Sequence, residues 1–251
     1  MTSSEHQRPM RIGTHNGTFH CDDVLACAML RCLPRYKNAE VVRSRDQSVL
    51  DTCDIVVDVG NVFNHENSRY DHHQRGFDEC FNSLFPNKRW LTKLSSAGLI
   101  YVYYGREILS EIISEVKPGV TLDSAEFDML YDQVYENFIE EIDAVDNGIS
   151  CYDGQPRYKI TSTISRRVGG LNPQWNEEDD TTNMERFSKA MDLVQVELND
   201  VVRHYLTSWL PARQMVKDAI KHRLVFVTTT RLCRTTTFYI VCSLCSPYLL
   251  F

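Results

Sequence analysis

The chain has 251 residues, enough for one large core, and its 43% hydrophobic and 24% charged residues are ordinary for a soluble globular protein. A net charge of −7 excludes a broadly basic nucleic-acid surface, but acids neutralised by bound metal would leave a phosphate-bearing substrate open. Nine cysteines without a repeated spacing exclude a disulfide framework and fit a reduced intracellular compartment, and the polar first residues Met1 to Pro9 hold no apolar signal core.

Residues 1–10 read as a flexible N-terminus. Arg11-Ile-Gly-Thr-His15 then reads as a strand entering a glycine-containing loop, after which Asp22 or Asp23 can cap a helix through Val24 to Leu30 that Pro34 ends. Glu40-Val-Val-Arg43 is a second short strand. Ile55 to Val59 is a third, near-continuously apolar as buried parallel strands are. Strand, helix, strand, short helix, strand is a βαβ rhythm, which predicts an α/β fold with a parallel sheet.

Beyond Ser95-Ser96-Ala97-Gly98 the chain turns helical. One helix is predicted from about Asp123 to Asp146, with Phe127, Leu130, Tyr131, Val134, Phe138, Ile139, Ile142 and Val145 on one apolar face and Asn147-Gly148 as its stop. A second helical block spans about Met184 to His204, and Pro211 falls in the first turn of a third. Asn172-Pro173 and Glu177-Glu-Asp-Asp180 mark a loop at the edge of the sheet domain. The chain so divides into a sheet domain at 11–170, a helical segment at 171–221 and a divergent tail at 222–251. That tail contains three Arg, no Asp or Glu, two Thr triplets and an apolar end too short and interrupted to span a bilayer, and it reads as an edge strand or a poorly ordered end. Cys242-Ser-Leu-Cys245 has zinc-ribbon spacing without the second pair a zinc site needs.

The chemistry concentrates at predicted strand ends. His15 and His20 flank a loop that runs to Asp22, Asp58 is a lone acid in an apolar strand, and Asp71-His72-His73 follows shortly after. Imidazole with carboxylate is the ligand set of divalent transition metals, and pairs of such ions about 3.5–4 Å apart drive phosphoester hydrolysis. In an α/β sheet these loops share one crevice. Asp58 is then the natural bridge between two ions, with His15, His20, Asp22, His72 and Asp146 as terminal ligands. Oxygen-rich ligation suits magnesium or manganese, and imidazole tilts the choice to manganese. Bland readings stand beside these. A lone Asp commonly terminates a strand, Asp23 reads better as a helix cap than as a ligand, His65 and Asn64 belong to a turn, and paired histidines occur on exposed loops. Asp143 and Asp146 sit at the negative end of a helix dipole, where a carboxylate needs a partner, and a cation is the first candidate.

The order His…Asp, Asp58, Asp71-His72-His73, Asp146 resembles the DHH phosphoesterase superfamily. More closely, Ile12-Gly-Thr-His-Asn-Gly-Thr-Phe-His-Cys-Asp22, Tyr70-Asp-His-His-Gln-Arg75, Lys93-Leu-Ser-Ser-Ala-Gly-Leu-Ile-Tyr101, Asp143-Ala-Val-Asp-Asn-Gly-Ile149 and Ser208-Trp-Leu-Pro-Ala-Arg213 look like the Myg exonuclease family, the melanocyte proliferating gene proteins. The resemblance covers roughly residues 10–221. It implies a DHH-type domain and a manganese- or magnesium-dependent 3′–5′ exonuclease acting on RNA, found in nucleus and mitochondria. By motif correspondence His20, Asp22, Asp58, His72 and Asp146 would bind metal, with His15 and His73 in the same site. Arg166, Arg167 and Trp175 lie in a further similar block and would contact substrate or serve structure. Family members continue into a second domain with a glycine-glycine-histidine substrate loop. Here that domain is expected to be largely missing, with Trp209 and Leu210 left exposed and cleavage weakened.

The expected reaction is phosphodiester hydrolysis, with Asp58 holding the ions and His73 orienting the phosphate or protonating the leaving oxygen. The alternatives are a phosphohydrolase of pyrophosphate or short nucleotides, and a non-catalytic form that keeps metal and binds a partner.

Overall fold

A computed structural model describes residues 8–177 and 182–229, with side chains undescribed at residue 182 and from residue 223. The Cys242/Cys245 pair and the tail from residue 230 lie outside the described residues. Of the expected flexible start, Arg8–Met10 is described and is tied down: the Arg8 guanidinium pairs with Asp54 at 2.9 Å, and Glu40 N–H donates to the Met10 carbonyl.

The fold is α/β, as its alternation of apolar strands and helices predicts. Strands β1 (Arg11–Thr14), β2 (Glu40–Arg43), β3 (Ile55–Val57), β4 (Phe63–Asn64) and β5 (Arg69–Tyr70) form one sheet in the order β2-β1-β3-β5-β4, parallel except for the β4/β5 pair. Alternating side chains of β3 serve two faces: Ile55 and Val57 join the main core, whereas Val56 packs with Leu50, Cys53 and Val59 behind the sheet. Helix α1 (Cys21–Cys32) is buried from Cys21 to Leu30, because it lies under the sheet and is covered by later helices. The short α2 (Gln47–Leu50) leads into β3, and α3 (Phe81–Leu84) precedes the long α4 (Ser96–Val116).

The helix predicted over 123–146 is α5 (Ser124–Val134), a π turn (Tyr135–Ile139) and α6 (Glu140–Asp146). The π turn inserts a residue and shifts the inward face. Tyr135 and Asp143 are therefore buried, and Val145, expected on the apolar face, is 48% exposed. After α7 (Ile164–Gly169), α8 (Thr182–His204) does not end at His204. It runs through a second π turn (Tyr205–Trp209) into α9 (Leu210–Thr229), the turn absorbing the clash of Pro211 with the preceding helix.

Among the described residues, the core runs across the boundary expected near residue 170. Phe187, Ala190, Val194, Leu198 and Val202 of α8 are buried in the same cluster as α1 and α4. Leu210 is buried and Trp209 packs against that cluster beside Tyr205, so these two residues are not the exposed patch expected of them.

Candidate metal centre

The sheet order places β1 between β2 and β3, so the chain leaves the carboxyl ends of β1 and β3 on either side of a topological switch. His15 follows β1, and Asp58 follows β3 with a left-handed backbone (φ 58°), a conformation aspartate tolerates better than most residues. Its N–H is held by the Tyr70 carbonyl at 3.1 Å. The loop between His15 and His20 is fixed by residues that the sequence did not single out for the site. Asn172 makes a two-way clamp on Phe19, accepting its N–H at 3.0 Å and donating to its carbonyl at 2.9 Å. Arg43 donates to the carbonyls of His15 and Gly17 and lies over the rings of Phe19 and Phe187.

Asp23, as expected, helps to cap α1, but as the third helical residue of a capping box rather than as the N-cap itself. His20 is the N-cap residue, and both acids lie in the first helical turn, buried. Asp23 accepts the His20 N–H at 2.8 Å with one oxygen, and its other oxygen stands 3.4 Å from His15 Nε2. The reading of Asp23 as a cap rather than a site residue is thereby corrected: it serves helix and site together. The signal was present in the adjacent acids Asp22-Asp23 at the start of a buried helix.

Around Asp58 the groups converge. His15 Nε2 lies 3.2 Å from one of its oxygens, His72 Nε2 lies 3.3 Å from the other, and Ser96 Oγ donates to it at 3.1 Å. His72 Nε2 also stands 3.1 Å from Asp146 and 3.7 Å from Asp22. Despite these distances, neither His72 nitrogen makes a hydrogen bond of good geometry, and neither do both oxygens of Asp22 or the outer oxygen of Asp23. Buried polar atoms are rarely left so, and each costs about 1–3 kcal/mol when it is. His15 Nδ1 meets the Asn16 carbonyl at 3.1 Å. A carbonyl only accepts, so Nδ1 carries the hydrogen and Nε2 offers a lone pair to the site. His73 is different: exposed, its Nδ1 donates to Asp71 at 2.7 Å.

Charge at the site is crowded. Burial and the nearby Asp58, Asp146 and Asp23 push the Asp22 carboxyl well above its ordinary range. Burial raises Asp23 to about 7 against the pull of His15. Burial also works to raise Asp58, but the His15 and His72 rings facing it win and hold it below the usual aspartate range. His72, although burial opposes its charge, is lifted to about 9 by Asp146 and Asp58. Acids that repel one another, with buried oxygens lacking hydrogen bonds and imidazoles beside them, fit a divalent cation. Four sets of possible ligand atoms lie within 4.8 Å of one another among the described residues: His15/His20/Asp58, Asp58/His72/His73, His20/Asp22/Asp146 and Asp22/Asp23/Asp58. Asp58 belongs to three of them, and the fourth adds Asp146 through His20 and Asp22, which the other sets share, so the expected ligands form one cluster.

The other candidates lie elsewhere. Asp143 is not a cation's partner: it accepts from Ser95 N–H at 2.9 Å, Ser95 Oγ at 2.7 Å, Gly98 N–H at 3.1 Å and Tyr135 OH at 3.0 Å. Arg167 pairs with Glu197 at 2.6 Å, Arg166 is exposed on α7, and Trp175 is 96% exposed. His65 does fall in the turn beyond β4, where it stacks on Tyr103.

An α/β domain whose strand ends gather imidazoles and carboxylates able to hold a metal ion defines the class. The chain belongs to the MYG1 exonuclease family: a family model described as an uncharacterised protein family (UPF0160) matches residues 11–243, beyond the residue 221 at which the resemblance was expected to stop. The chain is similar to "MYG1 exonuclease" of Rattus norvegicus, 54% identical over 216 residues, 86% of this chain and 55% of that protein. It is 53% identical to the Homo sapiens "MYG1 exonuclease" over 216 residues, 86% of this chain and 56% of that protein. It is 44% identical over 217 residues to "MYG1 protein" of Dictyostelium discoideum, 85% of this chain and 62% of that protein. The chain thus spans a little over half the length of the mammalian relatives it matches. No solved structure matches it. Among the described residues no helix is long and apolar enough to cross a membrane.

Proposed function

We propose that this chain carries the catalytic domain of a 3′–5′ exoribonuclease of DHH type that would hold two divalent cations, manganese or magnesium, around Asp58. One observation carries the reading: both oxygens of Asp22 and the outer oxygen of Asp23 are buried without a hydrogen bond of good geometry, and with His72 they surround a single carboxylate that three ligand sets share. The relatives named exonucleases support the reaction class. His15, His20, Asp22, Asp23, Asp58, His72 and Asp146 would hold the ions. Bound there, they supply Lewis-acid stabilisation of a phosphoryl group under attack by water.

The chain's own groups do the rest. Ser96 Oγ and the first turn of α4 hold Asp58 in one orientation. Asp71 fixes the tautomer of His73, so that Nδ1 is the donor to the carboxylate and Nε2 is left to carry or release a proton. The same hydrogen bond raises the His73 pKa, keeping a proton at hand for a leaving alkoxide near neutral pH.

End-labelled RNA incubated with this chain and manganese tests the proposal. Mononucleotide release from the 3′ end, abolished by chelation, is the expected result, and calorimetry should give a manganese stoichiometry near two. No cleavage at millimolar metal, or cleavage indifferent to chelation, sinks the reading. Rates independent of substrate length would assign the site to short nucleotides instead.

A further inference from the structure

The motif Lys93-Leu-Ser-Ser-Ala-Gly divides its residues between the two buried carboxylates and the surface beside them. Ser95 and Gly98 serve Asp143, and Ser96 serves Asp58. Lys93 is held rigidly beside the site. Its carbonyl accepts from Asn147 Nδ2 at 3.0 Å, one residue past Asp146. It forms an isolated antiparallel bridge with Cys80, and the next residue, Leu94, donates its N–H to the Glu79 carbonyl. The ammonium lies 5.6 Å over the centre of the Phe77 ring, and Phe77 in turn meets the His72 ring edge-on at 6.3 Å and 73°. A single aromatic ring therefore separates the lysine from a candidate ligand.

Among the described residues Lys93 makes no ion pair, whereas its neighbours in sequence are both engaged, Lys88 with Asp132 and Arg89 with Glu136. The half-buried stem limits where the charge can go, and the ring beneath it stabilises the ammonium in that position. The carboxylates of Asp22, Asp23, Asp58 and Asp146 match two divalent cations in charge. A substrate phosphate beyond the one at those cations would gain from a fixed base at the rim.

We infer that Lys93 is a substrate-binding residue, positioned by Phe77, whose ammonium takes the RNA backbone phosphate next to the one being cleaved; this rests on the proposed function. Lys93 supplies a point charge and no base-specific contact, so it favours polyanionic strands over a lone phosphodiester and does not select sequence.

The test uses the full chain, a fluorescein-labelled oligoribonucleotide, and calcium in place of manganese for equilibrium binding. Lys93→Met should raise Kd and KM about tenfold, with a smaller change in kcat, and lower the slope of log affinity against log salt by about 0.7, the loss of one single-strand phosphate contact. Lys93→Arg should restore most of both. Phe77→Leu, which keeps the apolar packing, should raise KM roughly two- to fivefold. An unchanged manganese stoichiometry in each variant shows that the fold and site persist. A Lys93→Met chain with wild-type Kd, KM and salt slope overturns the inference while leaving the hydrolase reading intact. Wild-type chain that binds RNA with the Lys93-dependent slope yet cleaves none overturns the hydrolase reading alone. Neither binding nor cleavage by the wild type overturns both.

Discussion

Two helix starts meet at the centre of this molecule and treat buried carboxylates in opposite ways. At the start of α4, Asp143 is saturated: Ser95, Gly98 and Tyr135 supply four hydrogen bonds to it, and the helix dipole adds to them. At the start of α1, Asp22 has no donor on either oxygen and Asp23 has none on its outer one. Both regions are fully buried. The same residue type at the same depth is thus structural in one place and poised for a ligand in the other, and satisfaction, rather than burial, distinguishes them.

The comparison breaks most sharply at Asp58. Asp58→Asn keeps the shape of the side chain but removes the charge that three ligand sets share. Activity should fall about a thousandfold, on the order of 4 kcal/mol of transition-state stabilisation, with the fold retained. Turnover near wild type in the variant, measured on labelled RNA with manganese, would show the bridge to be misassigned. Asp22→Asn makes the complementary point in metal-free protein, where losing one of several repelling acids should leave the urea midpoint equal or higher.

Asp143 should behave in the reverse way. Asp143→Ala leaves four buried donors without an acceptor, and unfolding in urea should show a loss of about 3–5 kcal/mol. Gly98→Ala attacks the same contact from the other side, since a Cβ there would sit on both Asp143 oxygens. Its loss should be of the same order. If Gly98→Ala unfolds at the wild-type midpoint, the saturated site is looser than drawn.

Much of this was legible in the sequence because it follows from local rules. The apolar run of β3, the strand–helix alternation and the stop at Asn147-Gly148 predict the sheet and the helix ends, and Asp58, His72 and Asp146 stand where strand ends and helix stop place them. What escaped depends on long-range contact. Asp143 finds its partner 48 residues back at Ser95, and the Asn172 clamp on Phe19 spans 153 residues. No periodicity encodes such pairs. The π turns at Tyr135 and Tyr205 escaped for another reason: an inserted residue moves Val145 outward without altering the apolar pattern that suggested it faced in.

A smaller effect sharpens the same contrast through pH. In metal-free protein Asp23 titrates at about 7 when folded, against an ordinary value near 3.9, so the folded chain holds its proton more tightly. Stability from this group is full below about pH 4 and declines as pH rises towards 7. His72, raised to about 9 from an ordinary value near 6.5, contributes below 6.5 and loses its contribution as pH rises through 9. The signs agree, and the metal-free urea midpoint should fall between pH 4 and 9. Manganese needs the deprotonated ligands, so its apparent affinity should climb over the same range. An affinity flat with pH would remove these groups from the ligand set.

The smallest effect belongs to α7, which lies outside both helix starts. Arg167 was a candidate for contact with substrate, yet it stands 44% exposed and paired with Glu197, itself 37% exposed. Exposed pairs of this kind are worth at most about 1 kcal/mol, because solvent screens the charges and both side chains lose freedom. Arg167→Ala should therefore move the urea midpoint barely at all, and a double-mutant cycle with Glu197→Ala should give a coupling of roughly 0.2–1 kcal/mol. Its effect on RNA separates the two roles. A cation that serves only Glu197 leaves KM and the salt slope at wild-type values, whereas one that turns to a phosphate lowers the slope by about 0.7. The ion pair predicts the first result. The second would extend the substrate path from the metal centre to α7, and would mean that Glu197 merely holds the guanidinium until RNA displaces it.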